Sequence, residues 1–213
     1  MTIVTNPTNP ARWLSPARLD RFEQIAIVIL WVLLARRIYT ATNPLAPLIL
    51  VGETAVVIFV LLRRPTAAIS LRLGDWLLAI TATFTPLLIM PADTPAALHA
   101  LIPLGVGLAV VGNAVQLAAK LFLRRSFGIA PANRGIKTDG MYKIVRHPMY
   151  AGYLLIHIGI LMLMPTVPNF IIYTISWSAQ IPRLLAEERL LSEDPAYRGL
   201  VAKTRWRLIP GVF

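Results

Sequence analysis

The sequence predicts an all-α fold: a polytopic membrane bundle of about six transmembrane helices, with a pocket on the cytoplasmic side formed by its C-terminal part. Three observations predict it. Of the 213 residues 56% are hydrophobic, and the mean hydropathy is +0.65, too apolar for an ordinary soluble domain. The apolar residues fall into blocks close to the roughly 20 residues with which a helix crosses the hydrocarbon core. Lys and Arg are confined to alternate connections between those blocks.

The N-terminal stretch "MTIVTNPTNPARWLSPARLDRFEQ" is polar and proline-containing. It lacks the early apolar core and small-residue cleavage site of a secretory signal, so the first apolar block is expected to remain as a span. That block covers 22–41 and is interrupted by Arg36 and Arg37, which can snorkel to the far interface. The others cover 45–62, 75–91, 96–123, 150–164 and 169–191. A "PTVPN" turn joins the last two, which predicts an antiparallel helical hairpin.

With both termini cytoplasmic, nineteen of the 21 Lys and Arg residues lie inside, and the opposite loops "TNPLAP", "PADTP" and "PTVPN" carry no cation. Arg36 and Arg37 are the exceptions. The net charge of +11 therefore follows from topology; a nucleic-acid surface would need a continuous basic face or an aromatic platform. The absence of cysteine excludes disulfides, thiolate metal sites and cysteine nucleophiles. Two parts result: residues 1–118, a scaffold of four spans, and residues 119–213, a cytoplasmic loop, a transmembrane hairpin and a C-terminal amphipathic segment.

The loop "RRSFGIAPANRGIKTDGMYKIVRHP" is irregular backbone beside a membrane, which must lie on the aqueous side or be buried in protein. Its glycines allow close approach of backbone to a ligand, or serve a flexible connector. Neither GxGxxG nor GxxxxGK[ST] is present. His147-Pro148 opens the fifth span, because proline suits a first helical turn. The N–H groups of Met149, Tyr150 and Ala151 then point back at the loop and favour a carboxylate. Arg146 and His147 add donors; Tyr142 and Tyr150 add aromatic faces. The same residues also fit an interfacial belt of anchors.

The second constellation is "IPRLLAEERLL", which carries the sixth span into the cytoplasm. Arg183 and Glu187 share one helical face and can meet each other, as a surface ion pair, or a common ligand. Glu188 points about 100° away. The hairpin brings this pair beside Arg146 and His147. The closing "DPAYRGLVAKTRWRLIPGVF" is basic and amphipathic, suited to an anionic leaflet or to folding over the pocket. Within the spans, Glu53, His99, Asn113, Gln116, His157 and Gln180 are polar, each either functional or a helix-to-helix hydrogen bond. Glu53 could pair with an arginine. His157 shares a face with Tyr150. Gly105, Ala109 and Asn113 form a small-residue packing stripe.

"GMYKIVRHPMYAGYLL", "RLLAEERLL" and "YRGLVAKTRWRLIP" together resemble the isoprenylcysteine carboxyl methyltransferase family, which is itself similar to membrane phospholipid methyltransferases. The resemblance covers residues 126–210. It implies S-adenosyl-L-methionine as methyl donor, bound between the cytoplasmic loop and the last hairpin. It implies that Tyr142, His147, Pro148, Met149 and Tyr150 line the cofactor site, that Arg183 and Glu187 hold the methionine portion, and that Arg134, Gly135, Ile136 and Lys137 pass along the cofactor by backbone contacts. Phe127 departs from the pattern, standing where eukaryotic members offer a glutamine; Ser126 could substitute if the loop shifts. The expected reaction is in-line methyl transfer to a lipophilic small molecule or lipidated substrate entering from the membrane lipids. No dedicated base is visible, which favours a pre-ionised carboxylate, oriented by Arg146 or Arg183. The expected location is a cell (inner) membrane or endomembrane. The alternative class is a non-enzymatic lipid-binding or assembly protein that retains the bundle. Transport is a weaker reading, since neither repeats nor paired broken helices occur.

Overall fold

The computed structural model describes residues 15–40, 54, 57–63, 66, 68–90, 92–123, 126 and 128–213. It is all-helical, without strands among these residues. Helix α1 (Pro16–Tyr39) starts six residues before the apolar block, because Ser15 caps it and Pro16 sits at its first turn. A helical segment at 57–61 follows. Then come α2 (Leu73–Phe84), extended by a 3-10 turn at Thr85–Leu88, and α3 (Ile102–Leu123), preceded by a 3-10 segment at Ala96–Leu101. A 3-10 turn at Gly140–Lys143 leads into α4 (Pro148–Leu163), α5 (Val167–Leu191) and the short α6 (Pro195–Lys203).

Among the described residues, fewer than the expected six helices meet the length and apolarity of a span. Among the described residues one helix, Ala96–Leu123, is long and apolar enough to cross a membrane; Leu73–Leu88 and Pro148–Leu163 are shorter apolar helices. Most of the block 45–62 lies outside the described residues, as do Glu53, Phe127 and the cations Arg12, Arg64, Arg124 and Arg125. Helix α5 is long enough, but Asn169, Thr174, Ser176, Ser178 and Gln180 dilute its apolar character.

The tightest packing runs along a glycine seam between α3 and α4. A Cβ on Gly112 would stand 2.7 Å from the carbonyl oxygen of Gly152, and one on Gly159 would stand 2.5 Å from that of Gly105. Residue numbers across the seam run in opposite directions, so the helices are antiparallel, and both glycine pairs recur at seven residues, the two-turn period of a helix face. The small-residue stripe is therefore real but turned: Gly112 takes the place expected of Asn113, which is exposed and bonds back to Ala109 O.

Helix α5 packs instead on α2, where Ala79 and Ala82 face Ser176 and Ala179, all buried; Ser176 Oγ donates to Ala82 O at 3.3 Å. At the turn end of the α4–α5 hairpin, fully buried Asn169 accepts from Met90 N at 2.9 Å and donates to Met90 O and Met164 O. That one amide ties the α2–α3 connection to the hairpin turn.

Gly112→Val and Gly152→Val are expected to lower the melting temperature of the detergent-solubilised protein, at a cost of about 1–3 kcal/mol or more, because backbone, not a flexible side chain, would have to move. Gly107→Ala, where nothing lies within 4 Å, is expected to leave stability unchanged or raise it by up to about 1 kcal/mol. Thermal unfolding of the three variants side by side checks both.

Candidate functional site

The site lies at the other end of the bundle, where α3 ends, α4 begins and α5 runs out past its apolar run. Its first wall is the loop 128–137. Irregular backbone here must find partners outside a helix. Ser70 N donates to Pro131 O at 2.9 Å and Asn133 N to Ala68 O at 2.8 Å, an isolated bridge centred on Ile69 and Ala132. Asn133 Nδ2 reaches Asp194 Oδ2 at 2.9 Å. Below the loop sits a buried ion network. Arg63 bonds Asp20 Oδ1 at 2.8 Å and Glu23 Oε1 at 2.6 Å, and Arg134 pairs with Asp20. Burial and the neighbouring Arg63 charge lower the Arg134 pKa against the opposing pull of Glu23 and Asp20.

The second wall is organised by Glu188. Its Oε1 meets Arg146 Nη1 at 2.8 Å, His147 Nε2 at 3.2 Å and Tyr197 Oη at 3.3 Å; its Oε2 meets Arg207 Nε at 2.9 Å. Burial by itself raises its pKa. Hydrogen bonds from His147 and Arg207, with the charges of His147 and Arg146, outweigh that and hold it at about 2. The C-terminal segment does fold over this end. Arg146 N donates to Trp206 O and His147 N to Arg207 O, both at 2.9 Å, and Thr204 Oγ1 donates to Tyr142 O at 3.1 Å.

Between the walls is a solvent-open cleft, whose space of about 560 Å³ includes the solvent at its mouth. Of the residues singled out in sequence, Arg134, Gly135, Ile136, Lys137, Tyr142, Arg146, His147, Met149, Tyr150 and Glu187 all line it. Ser126 lines it as well, its hydroxyl bound to Arg134 O at 3.0 Å. Leu191, Tyr197 and Leu200 complete the floor. Gly135 has φ +103°, a left-handed conformation that only glycine adopts without strain. Tyr150 Oη donates to Glu187 Oε2 at 3.0 Å, which leaves Glu187 Oε1 with no hydrogen bond from a described residue. Burial, helped by the Glu187 charge, raises the Tyr142 pKa, so its phenol stays a donor.

Pro148 does not line the cleft, and neither does Arg183. Arg183 and Glu187 do not meet, although they are four residues apart. The ring of Tyr150 stands between them: the Arg183 guanidinium lies 5.5 Å from its centroid, and Glu187 takes its hydroxyl. Arg183 instead holds Ile129 O at 2.8 Å, Gln180 Oε1 at 3.1 Å and Thr83 Oγ1 at 3.4 Å. The expected trio of helix-start amides is a pair, because Ala151 N is bonded to His147 O. His157 is a packed histidine: it accepts from Trp177 Nε1 at 3.1 Å and stacks on Tyr173 at 4.3 Å. Gln116 holds Lys120, and His99 bonds Thr94 O.

Sequence reasoning missed Glu188 as the organiser, and it missed the Asp20–Glu23–Arg63–Arg134 network. The signal for the second was present: two carboxylates three residues apart at the head of one apolar helix, and an arginine at the end of the next block. Among the described residues no cluster suited to a metal ion occurs.

Residues 97–194 match the family described as phospholipid methyltransferase (PEMT). No curated protein matches the chain. The match takes in α3, the cleft-lining start of α4 and both glutamates of α5. It indicates a membrane methyltransferase in general terms.

Glu188→Ala is expected to cost about 3 kcal/mol or more, since it strands the buried Arg146 guanidinium. Because the folded pKa of Glu188 lies below its ordinary value of 4.5, its contribution is complete above pH 4.5 and fades as pH falls towards 2. Melting temperature against pH should therefore drop over that window in the native protein, and less steeply in Glu188→Gln.

Proposed function

We propose that this chain, whose residues 97–194 form a phospholipid methyltransferase domain of the kind related to isoprenylcysteine carboxyl methyltransferases, transfers a methyl group from S-adenosyl-L-methionine to a lipophilic acceptor at the cytoplasmic membrane face. The observation that carries the reading is the unsatisfied set in one cleft: Glu187 Oε1, the Tyr142 hydroxyl and the Met149 and Tyr150 N–H groups, none with a hydrogen-bond partner among the described residues. A carboxylate, two helix-start amides and buried phenols match a ligand that is zwitterionic at one end and flat at the other.

In this reading the Met149 and Tyr150 amides hold the methionine carboxylate of the methyl donor and Glu187 holds its ammonium. Tyr150, fixed by Glu187, and Tyr142 offer faces to the positive sulfur and the adenine. The backbone at Gly135 and Ile136 approaches the rest of the nucleoside. When bound, S-adenosyl-L-methionine supplies a methyl on a sulfonium, an electrophile that needs only a near, desolvated nucleophile. The chain's own residues hold the ligand in place, with Leu191 and Leu200 as apolar lining beside it.

A carboxylate acceptor is favoured over an amine. An amine must lose a proton, and in this reading the candidate bases in the cleft are occupied: the His147 ring by Glu188, and Glu187 by Tyr150 and the ammonium of the methyl donor. The apolar residues exposed on α1, α3 and α5, among them Ile29, Val110, Val111, Phe170 and Ile171, suit contact with lipid. The Lys and Arg bias supports an orientation with the cleft end and both termini inside, in a multi-pass position in a cell or endomembrane.

Calorimetric titration with S-adenosylhomocysteine is expected to show saturable binding to the native protein. Glu187→Ala should weaken it at least tenfold, about 1.4 kcal/mol, without the stability loss of Glu188→Ala. Absence of binding at millimolar ligand would leave the non-enzymatic, lipid-binding alternative standing. Incubation with methyl-labelled donor and lipid extracts then identifies the acceptor: base-labile label marks a methyl ester, and base-stable label in a headgroup marks an amine.

A further inference from the structure

We propose that Asp20 and Glu23 on α1 are positioning residues for the loop that forms the first wall of the cleft, so that the site depends on a helix outside the family-matched stretch. The inference rests on the methyltransferase reading above and deepens it.

The loop 128–137 supplies Ala132, Arg134, Gly135, Ile136 and Lys137 to the cleft, and it has no helical ladder to hold its course. Its geometry is set from outside. Glu23 Oε1 accepts from Ile129 N at 2.5 Å, across 106 residues of sequence, while also accepting from Arg63. Ile129 O is taken by Arg183 at 2.8 Å, so this residue is gripped at both backbone polar groups. Five residues on, the Arg134 side chain is held by Asp20, whose carboxylate and backbone oxygen also bind Arg63. The side chains of Arg63 and Arg134 are fully buried, and those of Asp20 and Glu23 are 10% and 4% exposed.

Two carboxylates and two guanidiniums make a neutral set in a water-poor place. Removing one carboxylate charge leaves a buried cation in excess, which the set can relieve only by opening. The groups free to move are those on the loop. Neither Asp20 nor Glu23 lines the cleft, so any effect on a ligand must pass through Ile129 and Arg134. Arg134, Gly135 and Ile136 would then lose their fixed place, and with it the preorganised backbone that Gly135 provides.

The test uses the full chain in detergent. Asp20→Asn and Glu23→Gln are titrated with S-adenosylhomocysteine beside the native protein and Asn169→Ala, which breaks the buried amide at the opposite end of the bundle. The expected result is a Kd at least tenfold higher for the two carboxylate variants, and an unchanged Kd for Asn169→Ala at a comparable loss of melting temperature. Amide exchange in the ligand-free protein should speed up across residues 128–137 in the carboxylate variants while α3 and α4 keep their protection. Native Kd values and native loop exchange in Asp20→Asn and Glu23→Gln overturn the inference, as does a Kd increase that Asn169→Ala shares. If a neutral variant does not fold, Asp20→Glu decides, with the same two readouts: displaced by one methylene, its carboxylate should still loosen the loop and raise Kd. Native protein that binds no ligand, with exchange that still responds to Asp20, refutes the methyltransferase reading and leaves the clamp as structure alone.

Discussion

The fold at the cleft end depends on a carboxylate that is not in the cleft. Glu188 is 8% exposed, and a buried negative charge persists only where cations and donors surround it. Its partners come from three places: the entrance to α4 (Arg146, His147), the short helix α6 (Tyr197) and the final segment (Arg207). None of these is adjacent in sequence, and each is drawn to the end of α5 by the same two oxygens. The backbone exchange between 146–147 and 206–207 then zips the C-terminal segment against the α4 entrance. Because successive helical residues turn by about 100°, fixing Glu188 into this hub aims Glu187 elsewhere, into the cleft. Two neighbouring glutamates thus have separate tasks. One assembles the walls; the other faces what enters between them.

The loop wall obeys the complementary rule. A segment without a ladder of its own must borrow partners, and this one borrows from a strand-like stretch at 68–70, from Asp194, from α1 and from α5. The borrowing is dense where the loop meets the bundle, at 129–134, and thin beyond, at 135–138, where no backbone group bonds to another element among the described residues and Gly135 N is held by Asn133 Oδ1 of the loop itself. A ligand crossing Gly135 and Ile136 would therefore meet backbone that is anchored on one side and still has unfilled hydrogen-bonding capacity.

The helical hairpin, its turn and the convergence of Tyr150 with Glu187 were legible in sequence. Apolar run length, a proline after a histidine and a short proline-rich turn each act locally, and together they admit one arrangement. Eleven of the residues named from sequence do line one cleft. The Arg183–Glu187 pairing was misleading for a local reason: spacing on a helix says which residues share a face, not what stands on that face, and here it is the Tyr150 ring. The α3–α4 seam was half visible. Gly105 and Ala109 marked the stripe, but Gly112, Gly152 and Gly159 declare their role only once the two backbones are seen to touch. Long-range ion networks were the least legible, since nothing in sequence links Glu23 to an amide at 129.

The position of the cleft and the distribution of charge support each other by independent routes. Charge bias along the sequence separates cation-bearing connections from bare ones before any contact is known. Geometry separates the two ends of the bundle by their hydrogen bonds alone. Asn169, Thr94 and Met90 knit one end without a charged side chain among them, and Thr94 Oγ1 reaches Leu163 O at 2.5 Å. The other end holds every buried ion pair of the described residues, from Arg63 to Arg207. The two divisions coincide. The coincidence follows from what a bilayer tolerates, because buried ions and irregular backbone are stable only where water or dense protein can satisfy them. On the proposed reading, the three-charged methyl donor is held at that same end, and the apolar faces of α1 and α3 would let a hydrocarbon-tailed acceptor reach it from the lipid.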